Sequence, residues 1–152
     1  MIVTMEFENF VRRLEREIGI SGGLKPDEDG AVHLACGELI VSLLERNGRL
    51  LMLGAVCELP HHDNDRLAVA LLRGNFPDRP EDNAILSMGD GKTVFLHRRI
   101  PLASAEEDEL LAAFGEFAVE LVTWRERVKR IVREVPTVRM DDEMGKSGFI
   151  RV

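Results

Sequence analysis

Residues 47–56 read Asn-Gly-Arg-Leu-Leu-Met-Leu-Gly-Ala-Val, and few folds can hold such a run. Asn-Gly between two strand patterns is the short-range signature of a type I′ hairpin, because both central residues of that turn need positive φ. The segment before it, Leu39–Glu45, alternates and places Val41 and Leu43 on one face. The segment after it, Leu50–Val56, is apolar on both faces. It predicts a strand covered on both sides by helices or by another subunit. Glu58-Leu59-Pro60 stops the run, and the polar residues His61–Asp65 follow. A short helix pattern then carries Leu67, Ala68, Leu71 and Leu72 as its stripe, with Asp63 or Asn64 placed to cap it. Val69 and Ala70 leave this helix apolar nearly all round, which predicts burial on more than one side and hence a homodimer.

The flanking segments complete one unit. Phe7, Phe10, Val11, Leu14 and Ile18 form one stripe of a helix over Met5–Ile18, with Thr4 as N-cap and Gly19 ending it. Pro26-Asp27-Glu28-Asp29-Gly30 is a turn cluster, and Val32, Leu34 and Cys36 then alternate as a strand. A second hairpin joins Ala84–Met88 to Thr93–Arg99 through Gly89-Asp90-Gly91. On its last strand Phe95 and His97 share one face, and Val94, Leu96 and Arg98 the other. Ser104 with Glu107 reads as a capping box for a long helix that runs from Leu110 to about Val135, where Pro136 stops it. The order is α-β-β-β-α-β-β-α, an α+β fold with a twisted antiparallel sheet and helices packed on it. Residues 1–135 read as one domain and 136–152, which lack any period, as a mobile tail.

Composition narrows function. A chain of 152 residues buries a core without disulfides or metal, and Cys36 and Cys57 read as two small buried hydrophobes in a reducing compartment. The longest apolar runs fall far short of a membrane span, and MIVTMEFENF lacks the basic start of a signal peptide, so a cytoplasmic protein is expected. With a net charge of −7 and aromatics at 5%, neither phosphate neutralisation nor base stacking is supported, so no nucleic-acid partner is expected. The basic stretch Arg125–Arg133 reads as the cationic end of a helix.

Chemistry-bearing patterns are equally sparse. Gly89–Thr93 ends in Gly-Lys-Thr, but Leu86 stands where a phosphate loop needs its first glycine, and the segment joins two strands. His61-His62-Asp63-Asn64-Asp65 lacks a distant third metal donor, and Asp27–Gly30 lacks the glutamate of a calcium loop. Ser42, Ser87 and Ser104 fall in strands and a cap, so no catalytic residue, metal or cofactor is assigned and an enzyme is not expected.

Four pieces in order carry a resemblance: FENFVRRLEREIGI in the first helix, LMLGAVCELP in the third strand, LAVALLRGNF in the second helix, and PLASAEEDELLAAFGEFAVELVTWRERV. Together they span about Phe7 to Val128 and resemble the class I chaperones of bacterial type III secretion, the Tir-chaperone-like family. The resemblance implies a cytoplasmic homodimer that holds the N-terminal segment of a secreted effector in extended form without ATP. It implies a dimer interface at Leu67, Ala70, Leu71 and Phe76. It also implies an effector groove at Val3, Phe7, Val11, Leu86, Met88 and Phe95. Contact with the secretion machinery, a regulator of the same fold that sequesters an anti-activator, and a small-ligand domain stay open beside it.

Overall fold

The computed structural model describes residues 4–20, 23–60, 65–76 and 84–134. Eight elements follow in order: α1 (Met5–Ile18), β1 (Val32–Cys36), β2 (Leu39–Arg46), β3 (Arg49–Glu58), α2 (Asp65–Gly74), β4 (Ile85–Met88), β5 (Thr93–Pro101) and α3 (Glu107–Glu134). All five strands pair antiparallel in the order β1-β2-β3-β5-β4, so β3 is central and β1 and β4 are the edges. At the first hairpin Asn47 and Gly48 have φ of 52° and 71°, the two positive angles that a type I′ turn requires.

Register turns the alternation of each strand into a single apolar face. Leu34, Val41, Gly54, Leu96 and Leu86 stand opposite one another across all five strands, and Val32, Leu43 and Met52 form the next row. These residues share one core with Phe7, Phe10 and Leu14 of α1, Leu67 and Leu71 of α2, and Phe117, Leu121 and Trp124 of α3. Strand β3 is therefore covered on one face only. Leu51 and Leu53 on its other face are half-buried within the chain and Ala55 is exposed, so helices supply only one side of the expected cover. Within the chain, helix α2 turns Leu67 and Leu71 inside and leaves Val69 and Leu72 exposed.

Two glycines let α3 sit close. A Cβ on Gly54 would lie 2.4 Å from Leu121 Cδ2, and one on Gly74 would lie 2.3 Å from the Trp124 ring. Two charged residues also lie on the helix-covered face, and each meets a helix. Glu45 accepts the Thr4 backbone N–H at 2.7 Å, placing a carboxylate at the positive end of α1. Arg98 donates to Glu116 of α3 at 2.9 Å.

Helix ends follow local chemistry, with one correction. Thr4 Oγ1 accepts the Phe7 N–H at 3.4 Å and Gly19 closes α1 in the left-handed region at φ 74°. Ser104 does not cap α3. Leu102 donates its N–H to the Gly48 carbonyl at 3.0 Å and buries its side chain, so the chain still turns at residues 102–104. The cap falls on Glu106, whose N–H donates to Glu109 Oε2 at 3.2 Å, the reach-back half of a capping box. The caps expected at Asp63 or Asn64, and the tail 136–152, lie outside the described residues.

Gly54→Ala forces Leu121 off its seat, so unfolding in denaturant should show a loss of roughly 1–3 kcal/mol, with little change in slope. A variant as stable as the parent would mean that α3 does not rest on β3 through this contact.

Candidate functional site

Among the described residues, clefts lie at the two sheet edges and along α3. The first runs between α1 and β1, encloses about 250 Å³, and is lined by Phe7, Val11, Leu24, Pro26 and Val32 with Glu8, Arg12 and Glu15 at its rim. Its outer wall is the segment before β1, held at both ends by carboxylates. Glu15 of α1 accepts the Leu24 N–H, and Asp27 Oδ1 accepts the N–H groups of Asp29 and Ala31 at 2.9 and 2.8 Å. Strand β1 has a strand partner on one side only. Its open side therefore offers backbone groups next to apolar pockets.

The second cleft lies at the other edge, between α2 and the β4–β5 hairpin. It encloses about 300 Å³ and is lined almost wholly by apolar groups, among them Leu59, Ala68, Leu72, Leu86 and Met88. Asn75 locks its corner: its side-chain amide donates to the Leu86 carbonyl and accepts the Leu86 N–H, both at 2.8 Å. Of its lining, Leu72 on α2 is 72% exposed and Met88 on β4 54%, and Phe76, two residues past α2, is 67% exposed. A third depression of about 510 Å³ follows α3 past Val119 and Trp124, with the Arg127 guanidinium 4.8 Å above the Trp124 ring.

Of the six residues expected to form one groove, the five that are described are dispersed. Phe7 and Val11 line the α1–β1 cleft while Leu86 and Met88 line the α2–β4 cleft. Phe95 is half-buried on the helix-free face, opposite Ala55 and Ser87. Val3 lies outside the described residues. Of the residues expected at a dimer interface, Leu67 and Leu71 are 3% and 8% exposed within their own chain, Ala70 is half-buried, and Phe76 is open. Sequence periodicity alone does not tell an inward leucine from an outward one on a helix apolar all round. Leu72, which the spacing puts in the same stripe, lies on the outer side.

Both histidine-centred polar contacts lie on the helix-free face. His33 Nε2 lies 2.8 Å from Asp27 Oδ2 and its Nδ1 2.8 Å from Ser42 Oγ. This Asp-His-Ser chain has no spacing that sequence could flag, since the three meet through the β1–β2 register. The ring nitrogens are reversed relative to a hydrolase triad. Ser42 also sits in a strand paired on both sides, so its neighbouring amides are committed to the sheet and supply no oxyanion donors. The chain reads as a structural tie between edge strand and loop. The hydrogen bond from His33 and those from Ala31 and Asp29 hold the Asp27 carboxyl below the usual range. His97 bonds Ser87 Oγ at 2.8 Å, and burial, with Arg99 nearby, pushes it below the ordinary histidine value. Cys36 and Cys57 are free and half-buried, and burial pushes the Cys57 thiol up, which makes it a poor nucleophile. Among the described residues no group of three or more His, Cys, Asp or Glu could hold a metal ion, and no helix is long and apolar enough to cross a membrane. The Gly89–Lys92 segment is a β4–β5 hairpin turn. Of the basic stretch, Arg125 donates to the Ala55 carbonyl at 3.2 Å, beside the β-bulge that leaves Val56 without a strand partner.

The model of the Tir chaperone protein (CesT) family matches residues 9–125, most of the chain, and the chain belongs to that family. No curated protein matches it in sequence. Among solved structures, it is similar to a chain in the complex of the Yersinia pestis type III secretion chaperone SycH with a stable fragment of YscM2. That match has a TM-score of 0.60 at 14% identity and covers 76% of this chain and 97% of that one. It is also similar to a chain of the HopA1–SchA chaperone–effector complex, with a TM-score of 0.66 at 18% identity over 82% and 99% of the two chains. A chain of the ExsC–ExsE complex matches with a TM-score of 0.65 at 18% identity over 83% and 96%. At these identities the likeness is one of fold.

Because the Asp27 carboxyl is held low in the folded state, its contribution is complete above the unfolded carboxylate pKa and fades only as pH falls through the lowered value. Carboxyl NMR should show Asp27 titrating below the usual aspartate value, and His33→Ala should raise its midpoint towards that value. An unchanged midpoint in His33→Ala would remove the tie from the account of this loop.

Proposed function

We propose that this protein is a cytoplasmic, non-catalytic chaperone of type III secretion that acts as a homodimer. It holds the N-terminal segment of one secreted effector in extended form, without ATP and without a cofactor. The observation that carries this reading is the family match over residues 9–125. The clefts at the two sheet edges support it, since each sets apolar pockets beside an edge strand. A bound segment can there gain backbone hydrogen bonds from the edge and register from the pockets. Phe7 and Val11 would take effector side chains at the α1–β1 edge, with Val3 next to them in sequence. Leu86 and Met88 would take them at the other edge, and Phe95 on the open face. Ordering the segment costs conformational entropy, so the complex needs a large buried area, which several separate pockets supply better than one.

For the dimer, α2 is the proposed contact. Phe76 and Ala70 would meet the partner directly together with Leu72 and Val69, while Leu67 and Leu71 support the helix from beneath. A cluster with Leu72 and Phe76 each about two-thirds exposed or more is poorly suited to water.

Two measurements test the proposal. In light scattering the protein should be a dimer, and Leu72→Glu with Phe76→Glu should yield a folded monomer, because carboxylates at an apolar interface lose hydration without gaining partners. A double variant that stays dimeric would move the interface off α2. Tagged protein isolated from cells expressing the secretion machinery should retain one secreted protein. Limited proteolysis of that complex should protect a segment near the secreted protein's N-terminus. Retention of a cytoplasmic regulator instead would favour the anti-activator role, and a folded dimer that retains neither would overturn the chaperone reading.

A further inference from the structure

Strand β4 is the shorter of the two edge strands, and one side chain sits on its middle. It has four residues, Ile85–Met88, and pairs only with β5. In an antiparallel ladder the backbone groups of alternate residues face the neighbouring strand, and those between them face away. The Leu86 N–H donates to Asn75 Oδ1 and the Leu86 carbonyl accepts from Asn75 Nδ2, both at 2.8 Å. Leu86, opposite Leu96, is therefore a residue whose backbone pair points away from β5. By the same alternation Met88 is the next such residue, and it stands at the end of the strand beside the hairpin turn.

A primary amide carries both an acceptor and donors. Bonded to the N–H and the C=O of one residue, it reproduces the contact that a further strand would make there. Its support is fixed. The Gly74 backbone lies so close to Trp124 that a Cβ would come within 2.3 Å of the ring, and within 3.2 Å of Leu86 Cδ1. The Asn75 N–H donates to the Leu72 carbonyl at 3.1 Å and the Phe76 N–H to that of Arg73 at 3.2 Å, so hydrogen-bonded turns continue past α2. At the other edge, by contrast, the Asp27 carboxyl bonds the N–H groups of Asp29 and Ala31, both ahead of β1.

The composition of β4 makes such cover necessary. Its sequence is Ile-Leu-Ser-Met, without charge or proline, and Ile85 and Met88 are 51% and 54% exposed. An apolar edge strand is a template for another chain, and natural edges are protected by charge, proline, bulges or a covering group. The nearest copy of such a template is β4 itself. Two antiparallel copies would bring apolar rows together with no like charges to oppose them. A strand that pairs at Leu86 must first displace Asn75, and it exchanges two hydrogen bonds for two, with little net gain.

We propose that Asn75 guards the β4 edge against pairing with β4 of another copy, a role that holds whether or not the chaperone reading does. The α2–β4 surface then meets its partners through side chains, and assembly of sheet to sheet through β4 is shut off.

The test follows mass and amide exchange of the full-length protein. Light scattering over a range of concentrations should show a constant mass for the wild type and assemblies of about twice that mass or more for Asn75→Ala. Asn75→Leu, which keeps the shape of the side chain without its hydrogen bonds, should assemble in the same way. Adding Ile85→Lys to either variant should restore the wild-type mass, because a lysine on an edge strand opposes pairing, whereas it would not repair a damaged fold. At dilutions where the variants are unassembled, the Leu86 amide should exchange roughly tenfold faster than in the wild type, the worth of one hydrogen bond. Wild-type mass in both single variants, an unchanged Leu86 amide, or assemblies that survive Ile85→Lys would each overturn the proposal. Neither readout involves a secreted protein, so the chaperone reading stands or falls separately on what the wild type retains.

Discussion

The contact between Leu121 of α3 and the bare backbone at Gly54 sets the rest of the structure. A Cβ at that position would come within 2.4 Å of the leucine, so a 28-residue helix lies against the central strand only because residue 54 has no side chain. Once α3 is seated, Trp124 reaches the Gly74 backbone and fixes the end of α2. Asn75, next in sequence, then ties that end to Leu86 on the edge strand. Close packing transmits position: each neighbour is placed because the one before it cannot move without opening a void or a clash.

Charge completes what packing begins. Glu45 and Arg98 stand on the apolar face of the sheet, where an unpaired ion would be costly. Each is met by a helix, Glu45 by the first turn of α1 and Arg98 by Glu116 of α3. A shift of either helix along the sheet would strand one of them. The polar residues inside this core thus act on helix register, a role that apolar contacts serve poorly because they are non-directional.

Putting all three helices on one face has a functional consequence. Both edge strands and the whole opposite face are left open, and the clefts form where α1 and α2 overhang the edges. A domain of this size that held its helices on both faces would have a better-covered sheet and little surface for another chain. The exposed Leu72, Phe76, Ile40 and Met88 are the cost of that arrangement.

Much of this was legible beforehand. Periods of two and 3.6, the Asn47-Gly48 turn and the Thr4 and Gly19 caps depend on neighbours within a few residues, so the element order and the inward faces of β1, β2 and α1 follow from sequence alone. The cap of α3 was misplaced by two residues because Leu102 is held by Gly48, a partner 54 positions away. On α2 the sequence determines an apolar helix, but only the position of α3 decides that Leu67 and Leu71 turn inward and Leu72 and Phe76 outward. The same holds for the Asp27-His33-Ser42 chain. Local energetics are written in spacing along the chain; which distant side chains share a surface is decided by strand register and helix packing, and these exist only once the chain is folded.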